Sequence, residues 1–236
     1  MSYQAILFDV SDTLVEYHPN WAEIYGDRLR ALGFAITDQM ACEIRRAVNW
    51  AIGAQSLNEM DGAPHATTDE SARMKNEAAL SCVHFPDGMK ARYLEQMARM
   101  PKVKQEMRVI AGVIETLKIL KTTYRLAIVS NHHAWLADRL RELQLNDFFH
   151  PVVISEVVGI EKPDVRIMEI ALRELDLPAK RCLYVGDHPM DVLCAKKAGL
   201  DCALIVGDWE MAHLIGGYRA DYHIENLRDL LEILPV

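Results

Sequence analysis

The sequence lacks the features that would assign this protein to a membrane or to nucleic acid. It has no run approaching the roughly 18 apolar residues that a membrane span requires. The apolar run nearest the N-terminus, Ala5–Phe8, is followed at once by Asp9, which is unlike a signal peptide. It also has no basic run: 34 Asp and Glu stand against 26 Lys and Arg, a formal net charge of -8. We therefore expect no membrane and no nucleic acid as partners.

Cysteines are few and scattered. The five are odd in number and include no C-x-x-C pair; they are Cys42, Cys82, Cys182, Cys194 and Cys202. This pattern predicts free thiols rather than a disulfide framework or a zinc site. We expect a cytoplasmic protein.

Five short apolar runs are present instead, and each predicts a strand. They are Ile6–Phe8, Leu126–Val129, Val152–Ile154, Leu183–Val185 and Ala203–Val206. The runs are continuous rather than alternating, which is typical of central strands covered on both faces. Helical patterns separate the later runs, so the sequence predicts an α/β fold. We expect a Rossmann-like parallel five-strand sheet with helices on both faces.

One long stretch breaks the strand–helix alternation. From about residue 17 to residue 99 the periodicity is helical, with a loop predicted over Glu59–Pro64. We therefore expect two domains: a catalytic core of residues 1–15 and 101–236, and an inserted all-helical domain of residues 16–100. An apolar face on the inserted domain could support a homodimer.

The segment after the first predicted strand carries the strongest chemical signal, Phe8-Asp9-Val10-Ser11-Asp12-Thr13-Leu14. In open α/β sheets, ligands bind at the carboxyl ends of the strands. A carboxylate at that point can act as a nucleophile and form an ester that water later hydrolyses. Alone, however, Asp and Thr are equally typical of turns and helix caps.

Three further strand ends carry polar residues. Ser130-Asn131 closes the second predicted strand and could hold a phosphate oxygen. Lys162 follows the third strand and could offset the charges of an anionic nucleophile and an anionic substrate. Asp187 and Asp191 follow the fourth strand, and paired carboxylates suit magnesium. Each segment is weak evidence by itself.

In this order and spacing, the four segments resemble the four signature motifs of the haloacid dehalogenase-like (HAD) hydrolase superfamily. The helical insertion resembles that superfamily's type C1 cap. The resemblance covers essentially the whole chain. It implies a magnesium-dependent phosphatase that acts on a small phosphorylated metabolite through an aspartyl-phosphate intermediate.

The resemblance also assigns roles by matching position. The implied metal ligands are Asp9, the carbonyl of Ser11 and Asp187. Asp191 is implied to belong to the metal site from the outer shell, where it orients metal-bound water or Lys162. The implied phosphate-binding residues are Ser11, Thr13, Ser130, Asn131 and Lys162. Asp9 is the implied nucleophile, and Lys162 also counts among the catalytic residues.

Ser11 is the main departure from the superfamily pattern. Phosphatases of the superfamily typically carry an acid–base Asp there, whose contribution is roughly 10²–10⁴-fold in rate. Either Asp12 takes over that role, or the leaving group needs no proton, or the chemistry differs. Because adjacent side chains of an extended segment point in opposite directions, Asp12 is an imperfect replacement.

Ser11 therefore leaves alternatives open. A 2-haloacid dehalogenase would need no metal, whereas Gly186-Asp187 and Asp191 favour metal binding. A phosphonatase would need a cap lysine, and the cap offers only Lys75 and Lys90. A non-catalytic protein that binds a phosphorylated ligand is the alternative from outside the enzyme class.

Overall fold

The computed structural model describes residues 3–60, 67–206 and 218–235 of the chain. The chain forms two compact units. The first comprises Met1–Tyr17 and Met107–Val236, and the second comprises His18–Glu106. Within the described residues, no helix is both long and apolar enough to cross a membrane.

A six-stranded parallel sheet forms the centre of the first unit. Its strands are β1 (Ala5–Phe8), β4 (Arg125–Ser130), β5 (Val152–Ile154), β6 (Cys182–Gly186), β7 (Asp201–Ile205) and β8 (Tyr222–Ile224). Their order across the sheet is β5-β4-β1-β6-β7-β8, and every neighbouring pair is parallel. β1 therefore lies between β4 and β6, with all four of its side chains buried. The predicted parallel α/β fold is confirmed.

The predicted strand count was one too low. The sixth strand, β8, pairs with β7 at the edge of the sheet. It has only three residues, of which His223 is exposed and Ile224 is buried. An edge strand need not be apolar on both faces, so a search for continuous apolar runs missed it.

Helices in the first unit connect these strands. They are α5 (Val113–Leu120), α6 (Leu136–Glu142), α7 (Ser155–Val158), α8 (Arg166–Leu175), α9 (Pro189–Lys197) and α10 (Leu230–Ile233). In α8 the buried residues recur at helical spacing, so one apolar face packs inward. The α9 helix begins at a proline, whose fixed φ suits a first turn.

The second unit is helical. It contains α1 (Trp21–Ala31), α2 (Asp38–Met60), α3 (Thr68–Leu80) and α4 (Lys90–Ala98). The first and third of these helices begin at capping boxes, at Asn20 with Glu23 and at Thr67 with Glu70. Their inward faces form a separate apolar core. Within the loop predicted over Glu59–Pro64, α2 continues to Met60, and residues 61–64 lie outside the described part of the chain.

A two-stranded sheet was not predicted from the sequence. It pairs β2 (Val15–His18) with β3 (Glu106–Val109). Tyr17 and His18, which were assigned to the helical stretch, therefore lie in a strand. Only Val15 of β2 is fully buried, so this strand offers no apolar run.

Candidate active site

Asp9 lies at the carboxyl end of the central strand. Phe8 is in register with Ile128 of β4 on one side and with Val185 of β6 on the other. The Asp9 N–H donates to the Val185 carbonyl at 2.9 Å. The Asp9 residue is only 7% exposed. The carboxylate is thus fixed where the ends of β4 and β6 flank it.

The chain reverses direction directly after Asp9. The N–H groups of Leu14 and Val15 both donate to the Val10 carbonyl, at 2.8 and 3.0 Å. Asp12 has a φ of 54°, in the left-handed region that Asp tolerates better than most residues do. The segment is therefore not extended at Asp12. The assumption of an extended segment, on which Asp12 was judged an imperfect replacement for an acid–base Asp at position 11, was therefore wrong.

Lys162 is the positive centre of the site. Its Nζ donates to Asp9 Oδ1 at 2.8 Å, to Asp191 Oδ1 at 2.6 Å and to the Tyr184 hydroxyl at 3.0 Å. These three bonds use all three protons of the ammonium group. Lys162 is only 4% exposed, so its charge is balanced from within the protein.

Burial and pairing act in opposite directions on these groups. Burial alone would lower the pKa of Lys162, but the Asp191 and Asp9 carboxylates outweigh it and raise that pKa. Burial raises the pKa of Asp9, while the nearby Lys162 charge opposes the rise. The lysine therefore stays charged, and it is the partner that makes a buried Asp9 carboxylate tolerable.

A group of carboxylates lies beside the lysine. Asp9, Asp187 and Asp191 can each present one oxygen such that the three lie within 4.8 Å of one another. The Thr13 hydroxyl donates to Asp187 Oδ1 at 3.2 Å. Burial raises the pKa of Asp187, and the charge of Asp12 raises it further, followed by that of Asp191.

This carboxylate group fits a divalent cation. Asp9, Asp187 and Asp191 carry three negative charges at close range, and Lys162 offers one positive charge. Burial, and after it the repulsion of the neighbouring carboxylates, raises the pKa of Asp187, so its ionised form is unfavourable without a cation. Carboxylate oxygens are the donors that hard divalent cations prefer. A cation bound here would remove the imbalance.

Two predicted phosphate-binding residues have additional tasks. The buried Ser130 hydroxyl acts on the Asp9 carboxyl and opposes the rise of its pKa. The Asn131 side chain accepts from the Lys162 N–H at 2.6 Å and donates to the Lys162 carbonyl at 2.8 Å. Asn131 thus fixes the backbone that carries the lysine.

The nine predicted site residues all lie in the first unit. Hydrogen bonds or close approach connect six of them directly: Asp9, Thr13, Ser130, Lys162, Asp187 and Asp191. Asn131 supports them by hydrogen-bonding the backbone of Lys162. Ser11 is half-buried and Asp12 is exposed, at the tip of the turn.

Sequence reasoning missed Tyr184. Its hydroxyl donates to the Val129 carbonyl at 2.8 Å, lies 3.2 Å from Asp191 Oδ1 and accepts from Lys162. Tyr184 was assigned only to a buried strand. The available signal was a phenol in an otherwise aliphatic strand, since a buried tyrosine hydroxyl needs a partner.

Comparison with known proteins also points to the haloacid dehalogenase-like hydrolases. The sequence pattern of the haloacid dehalogenase-like hydrolase family matches residues 6–205. A phosphoglycolate phosphatase 1 from Pseudomonas aeruginosa is 27% identical over 229 residues, covering 96% of this chain and 78% of that protein. A glyceraldehyde 3-phosphate phosphatase from Methanothermobacter thermautotrophicus is 36% identical over 104 residues, covering 42% of this chain and 45% of that protein.

Among solved structures, a HAD-hydrolase from Bacillus subtilis bound to magnesium covers 100% of both chains, with a TM-score of 0.63. Its sequence is 22% identical to this one, so the likeness concerns the fold alone.

Proposed function

The chain belongs to the haloacid dehalogenase-like hydrolase family, and from that premise we propose that it is a magnesium-dependent phosphatase of small phosphorylated metabolites. The observation that carries the proposal is the contact of Lys162 with Asp9. A buried ammonium 2.8 Å from a buried carboxylate favours the ionised form of the nucleophile and can also attract an anionic substrate.

In the first step, an Asp9 carboxylate oxygen attacks the phosphorus of the substrate. A bond forms between that oxygen and phosphorus, the bond from phosphorus to the leaving oxygen breaks, and the leaving oxygen takes up a proton. Lys162 and Thr13 would each turn one proton from its present partner toward a phosphoryl oxygen. Ser130 would donate to another. We propose Asp12 as the group that handles the proton, because it is an exposed carboxylate in the turn directly after Asp9 and its left-handed backbone takes it out of an extended segment.

In the second step, water attacks the phosphorus of the aspartyl phosphate. The bond between phosphorus and the Asp9 oxygen breaks, inorganic phosphate leaves, and Asp9 returns to its carboxylate form. Asp12 would accept the proton of the attacking water, which reverses its part in the first step.

Magnesium is the cation that we propose for the carboxylate group. Asp9 and Asp187, with the Ser11 carbonyl, would hold the ion, and Asp191 would orient the surrounding ligands. Magnesium suits few protein carboxylates, since it keeps several waters and shares phosphate oxygens. When bound, it offsets the negative charge of the phosphoryl group.

The substrate class follows from the relatives. The two phosphatases reported above act, by their names, on phosphoglycolate and glyceraldehyde 3-phosphate. We propose a phosphate monoester of similarly small size. The assignment of residues 16–100 as a substrate-selecting C1 cap and the homodimer both remain predictions. The five free thiols support a cytoplasmic location.

The test is phosphate release from p-nitrophenyl phosphate, phosphoglycolate and glyceraldehyde 3-phosphate, with Mg²⁺ or with a chelator. We expect Mg²⁺-dependent release that Asp9→Asn lowers by at least about 10³-fold, because an amide is a poor nucleophile. Asp138→Asn is the matched control, since Asp138 is an exposed residue on α6. Beryllium fluoride with Mg²⁺ should bind the wild type and not Asp9→Asn.

The same samples are assayed for halide release from a 2-haloacid. Halide release that survives the chelator, without phosphate release, would establish dehalogenase chemistry in place of the proposal. Beryllium fluoride binding without turnover of any phosphate ester would leave a phospho-ligand-binding protein.

A further inference from the structure

Ser11 stands where the superfamily resemblance leads one to expect an acid–base carboxylate, and it is connected to two residues that the proposed mechanism does not use. The Ser11 hydroxyl lies 3.4 Å from the Tyr17 hydroxyl. The Tyr17 hydroxyl in turn lies 3.0 Å from His132 Nε2. These three side chains, called the hydroxyl chain below, all belong to the first unit.

The direction of the hydroxyl chain is set at His132. The His133 N–H donates to His132 Nδ1 at 2.8 Å, so Nδ1 acts as the acceptor. The His133 carbonyl is farther from the same nitrogen, at 3.3 Å, and competes less well for a proton there. Burial lowers the pKa of His132, which favours a neutral ring near pH 7. A neutral ring with a bare Nδ1 carries its proton on Nε2.

The rest of the hydroxyl chain follows by counting protons. If His132 Nε2–H donates to the Tyr17 oxygen, the single proton of Tyr17 is left to donate to Ser11 Oγ. The hydroxyl proton of Ser11 is then not used within the hydroxyl chain, so Ser11 can donate it to another group. Each group fixes the next, so the direction does not depend on the substrate.

His132 is held firmly enough to impose this direction. The backbone N–H of His132 donates to Ser155 Oγ at 3.0 Å, and Ser155 Oγ donates back to the His132 backbone carbonyl at 3.3 Å. The edge of its ring packs against Trp135, with ring centroids 4.6 Å apart and an interplanar angle of 85°. The preceding residue, Asn131, is bonded at both ends of its amide to Lys162.

The hydroxyl chain borders the nucleophile. Ser11, which the Tyr17 hydroxyl approaches, lies two residues after Asp9 in the turn that follows β1. Resting on the proposed phosphatase function, we propose that Tyr17 and His132 are positioning residues that orient the Ser11 hydroxyl as a hydrogen-bond donor to the transferring phosphoryl group. In place of an acid, this position then supplies a preoriented dipole, which stabilises charge without transferring a proton.

The experiment is a double-mutant comparison, with kcat and KM measured for p-nitrophenyl phosphate at saturating Mg²⁺. Ser11→Ala and Tyr17→Phe should each lower kcat by about tenfold, the usual effect of losing a hydrogen bond to a charged group. The loss falls on kcat because the donor acts on charge that develops during the reaction. The double variant should be no slower than Ser11→Ala, because Tyr17 acts only through Ser11.

His132 is tested by rescue. His132→Gln places an N–H near the position of Nε2 and should retain most of the activity, whereas His132→Leu should match Tyr17→Phe. Tyr3→Phe and His223→Gln are matched controls: Tyr3 bonds Asp201, and His223 is exposed on β8. Both controls should behave as the wild type does. NMR with ¹⁵N-labelled histidine should place the His132 proton on Nε2.

The outcomes separate the two proposals. A wild type that hydrolyses no phosphate ester with Mg²⁺ overturns the proposed function, whatever the His132 tautomer. An active wild type overturns the hydroxyl chain if the losses from Ser11→Ala and Tyr17→Phe multiply, if His132→Gln is as slow as His132→Leu, or if the His132 proton lies on Nδ1.

Discussion

Asn131 and Lys162 are joined by two hydrogen bonds that run in opposite directions. Asn131 Oδ1 accepts from the Lys162 N–H at 2.6 Å, and Asn131 Nδ2 donates to the Lys162 carbonyl at 2.8 Å. They are 31 residues apart in the chain: Asn131 directly follows β4, and Lys162 lies between α7 and α8. A side-chain amide thereby takes the place of a backbone partner and fixes the main chain that carries the buried ammonium.

Asn131→Ala should therefore disturb Lys162 without touching its side chain. We expect kcat for phosphate ester hydrolysis to fall by about tenfold, with a loss of about 1–3 kcal/mol in unfolding free energy from the two lost bonds. Urea denaturation and steady-state kinetics measure the two effects. Asn146→Ala is the matched control, since Asn146 is exposed and its side chain bonds only the neighbouring Asp147 among the contacts described. Equal kinetics in both variants would contradict the expectation.

Gly186 is expected to tolerate no side chain. A Cβ placed there would lie 2.5 Å from Asp191 Cγ and 2.7 Å from Asp191 Cβ, closer than real contacts allow. Asp191 would have to move, and its bonds to Lys162 and to the His188 N–H would be lost. We expect Gly186→Ala to cost about 1–3 kcal/mol in unfolding free energy and to impair catalysis.

Gly26→Ala provides the comparison for that substitution. A Cβ at Gly26 meets Arg30 Nη1 at 3.3 Å, which is the end of a flexible side chain. Since alanine favours helix over glycine by up to about 1 kcal/mol, this variant should unfold no earlier than the wild type. Gly186→Ala unfolding at the same urea concentration as Gly26→Ala would show that Asp191 has room to move.

Asp187 should have opposite effects on stability with and without a bound cation. Without a cation its charge is unfavourable, because burial and the charges of Asp12 and Asp191 raise its pKa. We expect Asp187→Asn to melt at a higher temperature than the wild type in chelator. In the wild type, a hundredfold excess of Mg²⁺ over its dissociation constant should add about 2.7 kcal/mol, and Asp187→Asn should lose this gain.

Calorimetry in chelator and in Mg²⁺ measures both effects. The exposed Asp27 on α1 supplies the control: Asp27→Asn should keep the full response to Mg²⁺. If Asp187→Asn gains as much from Mg²⁺ as the wild type does, Asp187 is not a ligand.

Asp221 should make folding sensitive to acid. Burial alone would raise its pKa, but the hydrogen bonds from Lys196 at 2.7 Å and from the Cys202 N–H at 2.8 Å outweigh it and lower that pKa. A carboxyl whose pKa is lower in the folded state stabilises the protein above its unfolded pKa. That stability disappears as the pH falls through the folded pKa.

Asp221→Asn should consequently be less stable than the wild type at pH 7. The difference should shrink as the pH falls below about 3.9, where an unperturbed Asp titrates, and should disappear below the folded pKa of Asp221. Urea denaturation from pH 2.5 to 7 gives the curve. The exposed Asp138→Asn variant shows what a surface charge contributes. A constant difference between Asp221→Asn and the wild type over the whole range would argue against the lowered pKa.

Much of the fold could be predicted because local composition decided it. Most strands of the central sheet are buried on both faces, so they appear as continuous apolar runs. In the connecting helices, the apolar residues recur at helical spacing. The edge strand β8 and the pair β2 and β3 could not be found in this way. They are short and partly solvent-facing, so their pairing partners determine them more than their own side chains do.

The sequence by itself determined which residues end the strands, because strand ends are marked where apolar runs stop. From this came Asp9, Ser130 and Asp187 at strand ends, and Lys162 and Asp191 in the segments that follow β5 and β6. Tertiary structure alone decided what these residues contact, since the partners are up to 174 positions apart in the chain.

The partnership of Lys162 with Tyr184, the left-handed turn at Asp12 and the approach of Tyr17 to Ser11 and His132 all depend on distances that no local pattern records. The physical reason is that hydrogen bonds and charge pairs act over a few ångströms of space, whatever the separation along the chain.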